Sequence, residues 1–480
     1  MEEINKSVPL KIALIPVLFL IGLLSVNVIG VFGDDALSGS NQFILILSAS
    51  LTVALGMYRG TSWSHILKGI EKSIADTSGA IIIILLIGAL AGSWMISGIV
   101  PAMVYYGLML LSPSIFLPAT AIICATVSLA TGSSWSTSAT VGIALVGIGQ
   151  ALGMNEAIVA GAVISGAYFG DKLSPMSDTT NLAPAVAGTD LFTHIRYMLY
   201  TTLPSFIIAL VLFAMIGLFK EAEGQIQSVS AIMSELAAGF NLSLWLFLVP
   251  VAVIAMIIMR VPAIPALLIG ALAGIVFALI FQSELLVSLS GGSQIADFYR
   301  VLMNSLTVDM AYPAEHPVLK ELLSSGGMSG MLGTIWLILA AMIFGGSMEA
   351  TGFLHSISVA LLRLAKGTFS LIATTVGTTA FMNVSAGDQY LALVVPGKMF
   401  KEAYEEKDLA PENLSRTLED SGTVTSVLVP HNTCGAYQSG VLGVDTMAYL
   451  PYAFFNYLSP IMTLIYAAFN IKIRKLIKKD

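Results

Sequence analysis

The sequence predicts an all-α polytopic membrane protein: two inverted repeats, about ten transmembrane helices, two re-entrant hairpins and broken helices. Three observations predict this. First, 56% of the 480 residues are hydrophobic and 11% charged, with a mean hydropathy of +0.87, well beyond the range of soluble domains. Second, stretches near the roughly 20 apolar residues that a span requires recur from Lys11 to Ile471. Third, a constant shift of 255 positions lays Gly132 on Gly387, Trp135 on Tyr390, Gly142 on Gly397, Pro175 on Pro430, Gly188 on Gly443 and Asp190 on Asp445. These matches fall mostly on Gly, Pro and polar residues, where apolar runs break.

The breaks suggest one plan used twice, with repeats at 1–230 and 231–480. In the first, spans are expected at 10–31, 41–58 and 79–97, an interfacial stretch at 101–111, a re-entrant hairpin at 114–150, a broken span at 156–188 and a last span at 197–219. In the second, the counterparts are 242–260, 263–283, 331–350, 353–365, 368–400, 414–443 and 449–471. The opening MEEINKSVPLK has no basic n-region or small-residue cleavage site, so the first apolar run reads as a retained span.

Charge orients the plan, because Lys and Arg crowd cytoplasmic loops. With the N-terminus inside, only Lys220, Arg300 and Lys320 fall outside and Lys172 lies at a break, which leaves 18 of the 22 basic residues inside. Five crossings per repeat then turn the second repeat upside down relative to the first, an architecture of many secondary transporters. Both termini become cytoplasmic, and 282–330 becomes an external loop.

At membrane depth the hairpin tips read SLATGSSWSTS (128–138) and NVSAGDQYL (383–391). The broken spans read GDKLSPMSDTTNLAP (170–184) and SVLVPHNTCGAYQSG (426–440). Interrupted backbone is tolerated there only where it lines a cavity or is buried in protein. Both interruptions are rich in oxygen-bearing side chains, the ligands that hard cations take. Buried charge is costly and points to an ion path, which singles out Asp171, Asp178, Glu349 and Asp388. Ser174, Thr179, Asn181 and Asn432 are candidate cation ligands beside them. Ser133, Ser134, Asn383, His431 and Thr433 are candidates for the substrate or proton path. Plainer readings stand alongside: Asp171 pairing with Lys172, Asp178 and Asp388 capping the helices that follow, and Glu419 and Asp420 pairing with Arg416.

Several chemistries find no support. The five histidines show no HExxH or paired metal spacing, and no GxxxxGK[ST] loop occurs. Two cysteines in different halves give no disulfide framework. An enzyme, a bound cofactor and a nucleic-acid partner are not expected.

GAYFGDKLSPMSDTTNLAP (166–184), FMNVSAGDQYLALVVPG (381–397) and LSRTLEDSGTVTSVLVPHNTCGAY (414–437) resemble the NhaC family of sodium/proton antiporters. The resemblance implies a transporter of the bacterial cytoplasmic (inner) membrane that exchanges sodium for protons, and a homodimer with a fixed scaffold and a moving transport unit. His431 stands where relatives are associated with an aromatic residue. The family also includes exchangers resembling malate/lactate antiporters, so a sodium- or proton-coupled carrier of a small carboxylate or amino acid is the alternative.

Overall fold

The computed structural model describes residues 8–32, 39–110, 112–219, 225–292 and 294–476. Lys6, Lys220, Lys478, Lys479 and most of the opening stretch, used above for orientation, lie outside them. The described chain is helical almost throughout. α1 (Leu10–Ser25) continues through a π-helical turn at Val26–Phe32, and α2 (Ser40–Tyr58) follows. α3 (Trp63–Asp76) was expected only as a cytoplasmic connection. It is an amphipathic helix instead, capped by Ser62, whose hydroxyl accepts from His65 N–H at 3.3 Å, and it buries Ile66, Ile70 and Ser73.

α4 (Ser78–Ile96) and α5 (Ile99–Leu110) lead to the first hairpin, made of α6 (Pro113–Thr131), α7 (Ser134–Thr137), a π-helical turn at Ser138–Gly142 and α8 (Ile143–Ala151). α9 (Glu156–Leu173) and α10 (Asp178–Ala187) form a broken span, and α11 (Leu191–Phe219) follows. α9 lies directly against α6 because glycine removes the side chains between them. A Cβ at Gly166 would sit 2.1 Å from the Ala121 carbonyl oxygen, and one at Gly170 2.2 Å from that of Ala125. This is the small-residue packing that helices use where burial from water supplies no drive.

α12 (Gln225–Gly239) meets α13 (Leu248–Ile258), which a short 3₁₀ turn precedes, at a 92° bend, and α14 (Ala263–Phe281) follows. The segment from Gln282 to Gly330, expected as a loop, is folded. It carries α15 (Ser283–Ser290), α16 (Ile295–Thr307), α17 (Pro317–Leu322), α18 (Gly327–Gly330) and an antiparallel pair, β1 (Met310–Ala311) with β2 (Ser324–Ser325). α16 buries Val301, Leu302 and Ser305, and the segment packs on α4, where a Cβ at Gly92 would sit 1.7 Å from the Ser305 carbonyl oxygen.

α19 (Leu332–Ala350) and α20 (Phe353–Leu362) precede the second hairpin, α21 (Thr368–Ser385) and α22 (Gln389–Glu406). α23 (Pro411–Leu418), a π-helical turn at Glu419–Thr423 and α24 (Val424–Ser426) form the first part of the second broken span, and α25 (Thr433–Leu442) the rest. α26 (Thr446–Tyr449) and α27 (Phe454–Ala468) complete the described helices.

Among the described residues, seven helices are long and apolar enough to cross a membrane, or eight if the bent pair at α12 and α13 is one span. One of the seven, Pro113–Thr131, is an arm of the first hairpin. The expected crossings at 156–188 and 414–443 fall on segments cut by breaks, a π turn or polar residues, and the one at 449–471 is carried by the shorter apolar helix Phe454–Ala468, so none of the three is among the span-length helices. The glycines matched by the constant shift have matching backbones. Gly132 and Gly387 have φ of 72° and 69°, and Gly188 and Gly443 have φ of 90° and 68°, a left-handed conformation that side chains disfavour.

Candidate site at the hairpin tips and helix breaks

The first tip turns at Gly132, after which the Ser133 hydroxyl caps α7 by accepting from Ser136 N–H at 3.1 Å. A Cβ at Gly132 would sit 2.6 Å from Cβ of Met176, so this tip rests on the break after α9. There, Ser134 donates its backbone N–H (3.0 Å) and its hydroxyl (2.6 Å) to Oδ2 of Asp171. The other carboxylate oxygen, Oδ1, is buried and accepts no hydrogen bond among the described residues. The Thr180 hydroxyl satisfies carbonyls freed by the break, donating to Asp171 O at 3.2 Å and Lys172 O at 3.1 Å.

α10 is capped by Ser177, whose hydroxyl accepts from Thr180 N–H at 3.4 Å. Asp178 therefore does not fill the cap; it occupies the first helical position and is exposed. Its Oδ1 accepts from Thr179 N–H at 2.9 Å, and its Oδ2 accepts from the Tyr390 hydroxyl. Asp178 and Asp171 remain within electrostatic range of each other. The other candidates here serve the break itself. Ser174 Oγ accepts from Met176 N–H at 3.3 Å, the Thr179 and Ser177 hydroxyls are 3.2 Å apart, and Asn181 donates to Pro175 O at 2.9 Å and Ser177 O at 2.6 Å.

At the second tip Asp388 caps α22, accepting from Leu391 N–H at 3.0 Å. Asn432 caps α25, accepting from Cys434 N–H at 3.0 Å, and its Nδ2 donates to the Asn383 carbonyl oxygen at 3.1 Å. Asn383 in turn donates to Gly422 O at 2.7 Å and Thr425 Oγ1 at 2.9 Å. Thr433 N–H donates to Gly387 O at 2.9 Å, and His431 Nε2 lies 2.7 Å from Val384 O. Tip and break are therefore laced together in each half. The tip aromatics then cross between halves: Trp135 stacks on Tyr437 at 3.9 Å and accepts at its carbonyl from the Tyr437 hydroxyl at 2.9 Å, while Tyr390 reaches Asp178.

Two plain pairings are corrected. Lys172 is fully buried and pairs with Asp420 rather than with neighbouring Asp171. Asp420 also accepts from Thr201 at 2.7 Å and from Thr463, and Lys172 donates to Ser459 at 3.0 Å. Arg416 pairs with neither Glu419 nor Asp420; its guanidinium lies over the Tyr197 ring at 4.5 Å and donates to Lys472 O at 3.3 Å. Glu349 is exposed near the end of α19 and joins none of these bonds.

Sequence reasoning missed Ser177, the Tyr390 link, the Trp135–Tyr437 stack and the partner of Lys172. The signal for the last was an ammonium inside an apolar repeat, which requires a distant carboxylate. Among the described residues no three His, Cys, Asp or Glu side chains converge, so a cation at these breaks would rest on at most two such groups, with hydroxyl and carbonyl oxygens making up the rest of its shell.

A family model described as the Na+/H+ antiporter family matches residues 166–471. The chain is 38% identical to the Na+/H+ antiporter NhaC of Alkalihalophilus pseudofirmus, over 90% of each chain. It is 34% identical to the malate-2H+/Na+-lactate antiporter of Bacillus subtilis, over 88% of each. To the arginine/ornithine antiporter ArcD of Halobacterium salinarum it is 35% identical, over 94% of this chain and 90% of that one.

Proposed function

The chain belongs to the Na+/H+ antiporter family, in its NhaC group, and we propose that it exchanges sodium for protons across the bacterial cytoplasmic (inner) membrane. The observation that carries this reading is Asp171. One of its oxygens is fixed by Ser134, and the other is buried and accepts no hydrogen bond among the described residues. An ionised carboxylate so placed offers anionic oxygen to sodium, and a protonated one releases it, so a single group serves both ions in turn. Asp178 and its Tyr390 partner, with Asp388, Asn432 and Asn383, complete the ion path in this reading. Ser174, Thr179, Asn181, Ser133, His431 and Thr433 shape the breaks around it, and Glu349 lies outside it.

Two inverted repeats at 1–230 and 231–480 place these tips and breaks against one another, with both termini cytoplasmic. Support comes from the recurring order of elements and the shared left-handed glycines. A homodimer, with one part fixed and one moving, is the assembly proposed.

A second reading, a carrier of a small organic acid or amino acid driven by sodium or protons, is favoured by the names of two relatives at 34% and 35% identity. Proteoliposomes holding a pH dye separate the two. Sodium exchange predicts proton movement on adding sodium alone. The carrier reading predicts movement only when malate, lactate, arginine or ornithine is also present.

A further inference from the structure

Away from the tips, one buried carboxyl is only loosely held among the described residues. Glu419 opens the π-helical turn and is fully buried, yet neither of its oxygens accepts a hydrogen bond among the described residues. The Thr423 hydroxyl, one turn on, is the donor that acts on it, so an ionised carboxylate there loses its hydration with little in exchange, whereas the neutral acid gives up far less. Arg416, Glu419 and Thr423 stand on successive turns of one helical run. Among the described residues, Arg416 Nε and Nη2 are likewise buried with no hydrogen-bond partner. π-helical turns of this kind recur at functional sites.

The charged groups around Glu419 come from few elements. Lys172 and Asp171 of α9 and Asp420 of its own turn act on it electrostatically. His194 of α11, in range of Lys172 and Asp420, points Nδ1 to Ser415 Oγ at 2.8 Å, and its Nε2 has no hydrogen-bond partner among the described residues. α27 brings hydroxyls of Ser459 and Thr463, both bonded to Asp420. α22 meets the turn at Ala392 and Leu393, Asp178 of α10 is engaged by Tyr390, and α21 and α24 carry no charged residue. At the start of α23, Ala410 N–H donates to Arg474 O at 3.0 Å, and the Arg474 side chain is half-exposed.

We propose that Glu419 is a second proton-carrying carboxyl, reached along this run from the face where Arg474 lies, and that it passes on the proton that displaces the cation from Asp171. This role presupposes the exchange proposed above. In the step, the O–H bond of neutral Glu419 breaks and its proton goes to the Asp171 carboxylate. The negative charge left on Glu419 faces the Lys172 ammonium, which Glu419 and Asp420 then share. When Glu419 takes up another proton, Lys172 returns wholly to Asp420, the arrangement seen here.

Wild type, Glu419→Gln and Glu419→Asp are compared in proteoliposomes by two assays: sodium isotope exchange without a pH gradient, and sodium uptake driven by one. Glu419→Gln is expected to cut gradient-driven uptake by about tenfold or more while isotope exchange stays at the wild-type rate. Glu419→Asp keeps gradient-driven uptake with a displaced pH profile. Gradient-driven uptake by Glu419→Gln with an unshifted profile overturns the proposal, as does loss of both activities together. If wild type exchanges isotope but shows no gradient-driven uptake, the exchange reading itself fails. Infrared spectra of the purified protein judge Glu419 separately. A protonated-acid carbonyl band present in wild type, lost in Glu419→Gln and moved in Glu419→Asp supports a proton on this residue. Its absence from wild type overturns the proposal. Should Glu419→Gln not fold, an unmoved band and profile in Glu419→Asp do the same.

Discussion

Asp171 and Asp178 flank one helix break and differ in what holds them. Replacing Asp171 by Asn keeps size and removes the titratable charge, so sodium-dependent proton movement is expected to vanish while the protein still reaches the membrane. Ser134→Ala removes a hydrogen bond to a charged group, worth about 1.5–3 kcal/mol, and is expected to shift half-saturating sodium by roughly tenfold or more. Asp178→Asn leaves the Ser177 cap intact, so any loss of exchange reports on Asp178 itself. Tyr390→Phe breaks the same bond, and the double variant is expected to behave no worse than either single one. The buried Lys172–Asp420 pair makes a further prediction. Lys172→Met alone strands a buried carboxylate at a cost of about 3–5 kcal/mol, whereas adding Asp420→Leu is expected to recover much of that stability in thermal unfolding. That Asp171 and Asp388 are buried or built into a helix break was legible from the rarity of acids in apolar sequence, whereas Glu349 of the same reading is exposed. Which partner each one took was not, because Lys172 and Asp420 meet only through the packing of α9 on the second broken span.

Helix breaks at Pro175 and Pro430 and turns at Gly132 and Gly387 were readable because proline and glycine act locally on the backbone. The amphipathic α3 and the folded segment at 282–330 were not, since a plan built on span-length apolar runs passes over short helices held by tertiary contacts. Close packing supplies the element-scale test. At Gly166 a side chain would meet backbone of α6, whereas Gly79 has nothing within 4 Å of the same position. Gly166→Leu is expected to lower the unfolding midpoint in detergent, by overpacking worth about 1–3 kcal/mol, with Gly79→Leu close to wild type. Equal midpoints would remove the α6–α9 contact from the account of how Asp171 is positioned.

For the whole molecule, the proposed inverted repeats would set the sidedness, and impermeant thiol labelling reads it. On a Cys124→Ala, Cys434→Ala background, Ile295→Cys, at a position 88% exposed, is expected to react from outside, and Glu405→Cys only after the membrane is opened. The reverse pattern rejects the orientation. All-α architecture and family were legible over nearly the full chain, since composition and the three motifs carry them. The solute was not, because relatives with different printed substrates are almost equally similar to this chain, at 34–38% identity. The most direct measurement is discharge of a pH gradient in acid-loaded proteoliposomes on adding sodium, over a range of pH, for wild type and Asp171→Asn. If sodium and the proton compete for Asp171, the wild type discharges the gradient, and its half-saturating sodium concentration rises by up to about tenfold for each unit that the pH falls. Asp171→Asn then stays at the level of empty vesicles. Discharge by Asp171→Asn at the wild-type rate and with the wild-type pH dependence would contradict the account.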